Sequence, residues 1–178
     1  SDRMAALPPD SLVGGTAANW ELGPRDTGAY ATMSDVVDYI EWLGSQVCDS
    51  DNQRTRFEAA GNAIHDHEKV LTDAMIHGTG NLPGLAEMAH VHIIGGVDNP
   101  AREGLVSIYV DGIDSKDVVA RLNSEGVRTH LRKADHYSGN VLDPLGLDSC
   151  IRVSMCHYNN VAEVAQFLGV MKNITSPN

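Results

Sequence analysis

The alternation of apolar and polar positions divides the chain into a helical first part and a mixed second part. Up to about residue 28, Pro8-Pro9, Gly14-Gly15 and Gly23-Pro24 break any period, and the segment reads as loop. From Ala29 to Leu43 the apolar set Tyr30, Met33, Val36, Val37, Ile40 and Leu43 recurs at helical spacing, with Gly44 as a stop. A longer helix is expected from about Asn52 to His77, with Phe57, Ala60, Ile64, Leu71, Ala74 and Met75 facing inward. Gly78, Gly80, Pro83 and Gly84 end it.

Beyond that point the period changes. Val91–Ile94 reads as a short strand. Leu105–Val110 is a stronger one, with Leu105, Ser107 and Tyr109 on one face and Val106, Ile108 and Val110 on the other. Ser115 is placed to cap a helix running through Leu122, which Gly126 stops. Val127–Leu131 is a third strand, and a helical turn is expected near Val141–Leu145. Ile151–Cys156 is a fourth strand, and Val161–Met171 a closing helix. Short strands alternating with helices predict an α+β fold, a small antiparallel or mixed sheet covered by helices and preceded by helices. Two divisions follow, residues 1–50 and residues 51–178, the second opening with the long linking helix.

Composition narrows the function classes. The formal charge of −11 argues against nucleic acid or an anionic membrane as partner. The three cysteines show neither CxxC nor metal spacing, so reduced thiols in the cytoplasm are expected. No apolar run reaches membrane-spanning length. His65-Asp66-His67 invites a metal reading, yet i and i+2 on a helix point about 200° apart. The chemistry-bearing signal is Arg152, a cation inside the otherwise apolar strand Ile151–Cys156. An unpaired buried guanidinium is too costly to keep, so Arg152 requires an anion, either an internal carboxylate or a ligand.

The run Arg152-Val153-Ser154-Met155-Cys156-His157-Tyr158-Asn159, followed by a helix, resembles the C-terminal domain of class V aminotransferases and cysteine desulfurase-like enzymes. Three further stretches extend the resemblance over nearly the whole chain. Trp20-Glu21-Leu22-Gly23-Pro24-Arg25-Asp26-Thr27-Gly28 resembles the family's Phe-Glu-x-Gly-Thr-x-x-x-Gly loop. Leu105–Gly112 with Ser115–Leu122 resembles its small-domain strand and helix. Gly126-Val127-Arg128-Thr129-His130 resembles the strand leading to its active-site loop.

The resemblance implies a pyridoxal phosphate enzyme of the aspartate-aminotransferase-like fold, cytoplasmic and homodimeric, acting on an amino acid. It implies that Arg152 holds the substrate carboxylate, with Arg128 beside it and His130 or His136 at the mouth of the site. The Gly23 loop would meet the partner subunit's cofactor phosphate through Gly23, Arg25 and Thr27. Pro24 stands where the family has Thr, lacking both hydroxyl and N–H. The segment Leu131–Tyr137, where desulfurases carry the persulfide cysteine, has none, which points away from desulfurase chemistry by that route. Neither Lys69, Lys116, Lys133 nor Lys172 sits in a strand-to-loop context suited to a Schiff base. The chain is therefore expected to be a C-terminal part of a larger enzyme, inert alone: residues 1–50 the end of the large domain, residues 51–178 the small domain. The rival expectation is a stand-alone α+β module that binds a small anion at Arg152.

Overall fold

A computed structural model describes residues 27–176. They fall into two units, the first ending at Ala60 and the second beginning at Gly61. In the first, α1 (Thr27–Val47) is followed by the start of α2 (Gln53–His77). Helix α1 runs through Gly44 instead of stopping there. A side chain at Gly44 would overlap the Arg56 carbonyl, so the glycine permits close approach of two helices. The turn between them is tied by Gln53 Nε2 donating to Glu41 (2.6 Å) and Arg56 Nε donating to the Ser50 carbonyl (2.6 Å).

The second unit is a four-stranded antiparallel sheet with its longer helices on one face. Its strands are β3 (Val91–Ile93), β4 (Leu105–Val110), β5 (His130–Lys133) and β6 (Ser149–Ser154), in the order β3-β4-β6-β5. The last strand enters between two earlier ones, so β4 and β5, joined through α3 (Ser115–Ser124), do not touch. A two-stranded hairpin, β1 (Gly78–Thr79) with β2 (Leu82–Pro83), follows α2. It and the 3₁₀ turn Leu85–Glu87 are elements that the glycines and Pro83 concealed.

Period-2 alternation sorts the sheet into two faces. Val106, Ile108 and Val110 of β4 and Ile151 and Val153 of β6 point to the helices. There they meet Val118 and Leu122 of α3, Leu71 and Met75 of α2, and Val164, Phe167, Leu168 and Met171 of α5 (Val161–Thr175) in one core cluster. Each such side chain contributes roughly 1.5–3 kcal/mol when fully buried. Helix α5 starts at a capping box, in which Asn160 accepts from the amides of Ala162 and Glu163, and Glu163 accepts from the Asn160 amide.

Several other boundaries depart from expectation. The cap of α3 is Asp114, whose carboxylate accepts from the Lys116 amide at 2.8 Å; Ser115 is buried at the first helical position. The third strand begins at His130, not Val127. Residues 125–127 instead close α3, Gly126 taking a positive φ of 77° and the Val127 amide bonding back to the Leu122 carbonyl. The fourth strand ends at Ser154, because Asn159 Oδ1 accepts from the Cys156 amide at 2.8 Å and organises the turn into α5. The α+β class, with an antiparallel sheet and flanking helices, is the one the sequence predicts.

Candidate functional site

The face of the sheet away from the core is polar. Cross-strand register puts Ser107 opposite Arg152, His130 opposite Arg152 on the other side, and Arg132 opposite Cys150. Partners in register share a face, so Ser107, Cys150, Arg152, His130 and Arg132 lie together. The short helix α4 (Gly139–Leu142) and the turn before it cover part of this face. The result is a cavity of about 250 Å³ lined by Arg132, Arg152, Ser107, Ser138, Cys150 and Tyr137, with Ile94, Val141 and Leu142 as its apolar wall.

Neither guanidinium is bonded to a carboxylate among the described residues. Arg152 is half-buried, and its Nε is fully buried without a hydrogen-bond partner. Arg132 donates from Nε and Nη2 to the Ser138 hydroxyl, at 3.0 and 2.6 Å. Among the described residues neither arginine forms an ion pair. Asp135 lies close enough to feel Arg132, but its Oδ1 accepts from the amides of Ser138 (2.9 Å) and Tyr137 (3.0 Å). Those backbone bonds, the Ser138 one foremost, hold its carboxyl below the ordinary range, with Arg132 assisting. The internal carboxylate allowed for Arg152 is not present among the described residues. Both cations thus face one cavity without a bonded carboxylate among the described residues.

Cys150 reports on the same cavity. Burial pushes its thiol up, while Arg132, Arg152 and a hydrogen bond to Ser107 act in the opposite sense. The protonated thiol is thereby favoured, which suits a packing side chain rather than a nucleophile.

The other candidates are placed as follows. Arg128 does not join Arg152. It lines a separate cavity of about 260 Å³ with Gly126, Ser154, Met155 and Asn159 among its walls. His130 is exposed on the Arg152 face, and His136 is exposed and tilted against the Tyr137 ring, centroids 4.0 Å apart. Thr27 is exposed at the start of α1, and Gly23 and Arg25 lie outside the described residues. His65 pairs with Glu103 (3.1 Å), and His67 Nε2 donates to the Asn159 carbonyl (2.9 Å). No group of side chains able to hold a metal occurs among the described residues, and no helix there is long and apolar enough to cross a membrane.

Arg132 and Ser138 are the site residues that sequence reasoning missed. The signal was present: His130 and Arg132 are i, i+2 in a strand and share a face. What it lacked was the register that sets that face beside Arg152.

The chain as a whole is similar to known proteins in sequence and in fold. Residues 57–167 match the family model for aminotransferase class-V. A probable cysteine desulfurase of Staphylococcus epidermidis is 30% identical over 163 residues, covering 92% of this chain and 33% of that protein. Probable cysteine desulfurase 1 of Mycobacterium leprae is 26% identical over 164 residues, covering 92% of this chain and 23% of that protein. The chain thus spans about a quarter to a third of these curated relatives. Among solved structures, the apo cysteine desulfurase of Thermococcus onnurineus NA1 is 27% identical with a TM-score of 0.58, covering 69% of this chain and 28% of that one. A NifS-like protein at 18% identity and a TM-score of 0.61 covers 95% of this chain and shares the fold.

Proposed function

This chain belongs to the aminotransferase class-V family, and from that premise we propose that it is the C-terminal portion of a pyridoxal-phosphate-dependent, cysteine desulfurase-related enzyme in which Arg152 holds the carboxylate of an amino-acid substrate. The single observation that carries this reading is the cavity on the open sheet face, where Arg152 has a buried, unpartnered Nε and no carboxylate neighbour among the described residues. A planar guanidinium answers a carboxylate through two parallel charge-assisted bonds, fixing its plane as well as its position. The apolar wall of Ile94, Val141 and Leu142 limits water there, which strengthens each of those bonds.

The described residues do not fit the cofactor itself. None of Lys69, Lys116, Lys133 and Lys172 lines the Arg152 cavity, and no side chain there is suited to an aldehyde. In this reading the lysine and the cofactor pocket belong to the remainder of a protein of which this chain matches a third or less. The chain alone is inert. Residues 1–50 belong to the large domain, residues 51–178 form the small domain, and the active enzyme is a homodimer. The loop Leu131–Tyr137 offers no thiol to accept sulfur, and burial shifts the Cys150 thiol up, away from the reactive thiolate. A stand-alone anion-binding module uses the same cavity, and would act without any lysine-bearing partner segment.

The test compares an amino acid with the amine that lacks its carboxylate, using the full-length gene product. Arg152→Lys keeps the charge and loses the fork; Arg152→Ala loses both. A charge-assisted hydrogen bond contributes about 1.5–3 kcal/mol, so kcat/KM for the amino acid falls roughly ten- to a hundredfold in Arg152→Ala. The amine is much less affected. An unchanged acid-to-amine preference would overturn the assignment.

A further inference from the structure

We infer that Arg132 is a specificity residue for a second anionic group, so that the substrate is an α-amino acid with an acidic side chain. The inference rests on the reading of Arg152 given above and extends it to substrate class. Three observations carry it.

The first is charge. Arg132 and Arg152 line one cavity, and no carboxylate lines it with them. A monocarboxylate answers one guanidinium and leaves the other without a bonded anion, Arg132 having only the non-bonded Asp135 nearby. A dianion answers both.

The second is spacing. Arg132 is in register with Cys150, and Arg152 is two residues along the same strand face. Such diagonal positions across an antiparallel pair stand about 7–8 Å apart. Two guanidiniums set that far apart at their roots present two forks, one for each end of a short dicarboxylate.

The third is orientation. Both Nε and Nη2 of Arg132 are bonded to Ser138 Oγ. One edge of the guanidinium is therefore held, and Nη1 makes no hydrogen bond to a described residue, which leaves it for a ligand. Ser138 is in turn placed by its amide bonding to Asp135 at 2.9 Å. The chain thus fixes Arg132 by a hydroxyl rather than by a bonded carboxylate, which orients the cation and leaves it without an ion pair. Ser138 is a positioning residue in this arrangement.

The experiment uses the full-length gene product and two probes, glutamate and glutamine, whose side chain is uncharged, with arginine Nε–H resonances followed by NMR. The unaltered chain binds glutamate at least tenfold more tightly than glutamine, and the Nε–H signals of both Arg132 and Arg152 shift with glutamate. Arg132→Gln collapses that ratio toward one. Ser138→Ala, which removes only the anchor, reduces it in part. Arg152→Gln weakens both ligands in parallel. Circular dichroism of each variant establishes that the fold is retained, and Arg132→Lys supplies a second, charge-conserving variant with an intermediate ratio. If Arg132→Gln weakens glutamate and glutamine equally, Arg132 shares the single α-carboxylate; the substrate-class inference fails and the Arg152 reading stands. If Arg152→Gln weakens neither, the reading of Arg152 fails. No binding of either probe overturns both.

Discussion

Replacing Arg152 by methionine should raise the stability of the chain while abolishing its anion site. The expectation follows from what surrounds the guanidinium. Arg152 occupies an inner strand, between Ser107 on β4 and His130 on β5, and no carboxylate answers it among the described residues. Its Nε is buried and unbonded. An unsatisfied buried donor costs about 1–3 kcal/mol. Arg152 is only half-buried as a residue, so the lower end of that range applies. Repulsion from Arg132, which lines the same cavity, adds to that cost. Methionine keeps an unbranched stem that packs along the sheet and removes both costs. A gain of about 1–2 kcal/mol corresponds to a rise of roughly 3–8 °C in Tm for a domain of this size. Differential scanning calorimetry measures it, and the amino-acid titration of the same variant reads the loss of binding. This combination, greater stability with lost function, marks a residue retained for its ligand. A fall in Tm of several degrees would refute the reasoning, because it would mean that Arg152 holds an internal anion whose loss leaves a second buried charge uncompensated.

Two further outcomes test the supports of the site. Asn160→Ala removes the side chain that accepts from two amides at the start of α5, and should lower stability by about 1 kcal/mol in urea denaturation with an unchanged m-value. For Asp135, backbone bonds from Ser138 and Tyr137 hold the carboxyl below its ordinary value of 3.8. A depressed folded-state pKa means that its contribution is present above the unfolded value and is lost as pH falls through the folded one. NMR titration of the Tyr137 and Ser138 amides should therefore give a midpoint below 3.8, with the turn under Arg132 loosening only beneath it; a midpoint above 4 would contradict that geometry.

The sequence by itself determined the parts of this protein that depend on local periodicity. The faces of β4 follow from strict alternation, and its bounds Leu105–Val110 match expectation residue for residue. The long helix ending at His77 and the helix from Val161 are likewise written in 3.6-residue spacing. Local pattern also marked Arg152, because a cation among apolar residues stands out whatever the fold, and family resemblance carried the class. Elements defined by bonds to distant segments were not legible in this way. Gly44 reads as a stop, yet it lies inside α1, because the closeness of a second helix is a tertiary fact. The strand expected at Val127 starts at His130, because pairing with β6 sets its bounds. The same register selects the arginine that joins Arg152. Arg132 lies inside that strand and Arg128 before it, although strand alternation alone would put both even-numbered positions on one face. Insertion of β6 between β4 and β5 turns Arg132 toward Arg152 and leaves Arg128 in another cavity. A side chain's type is a property of the chain, but the face it shares is set by strand order and register, which long-range pairing alone decides.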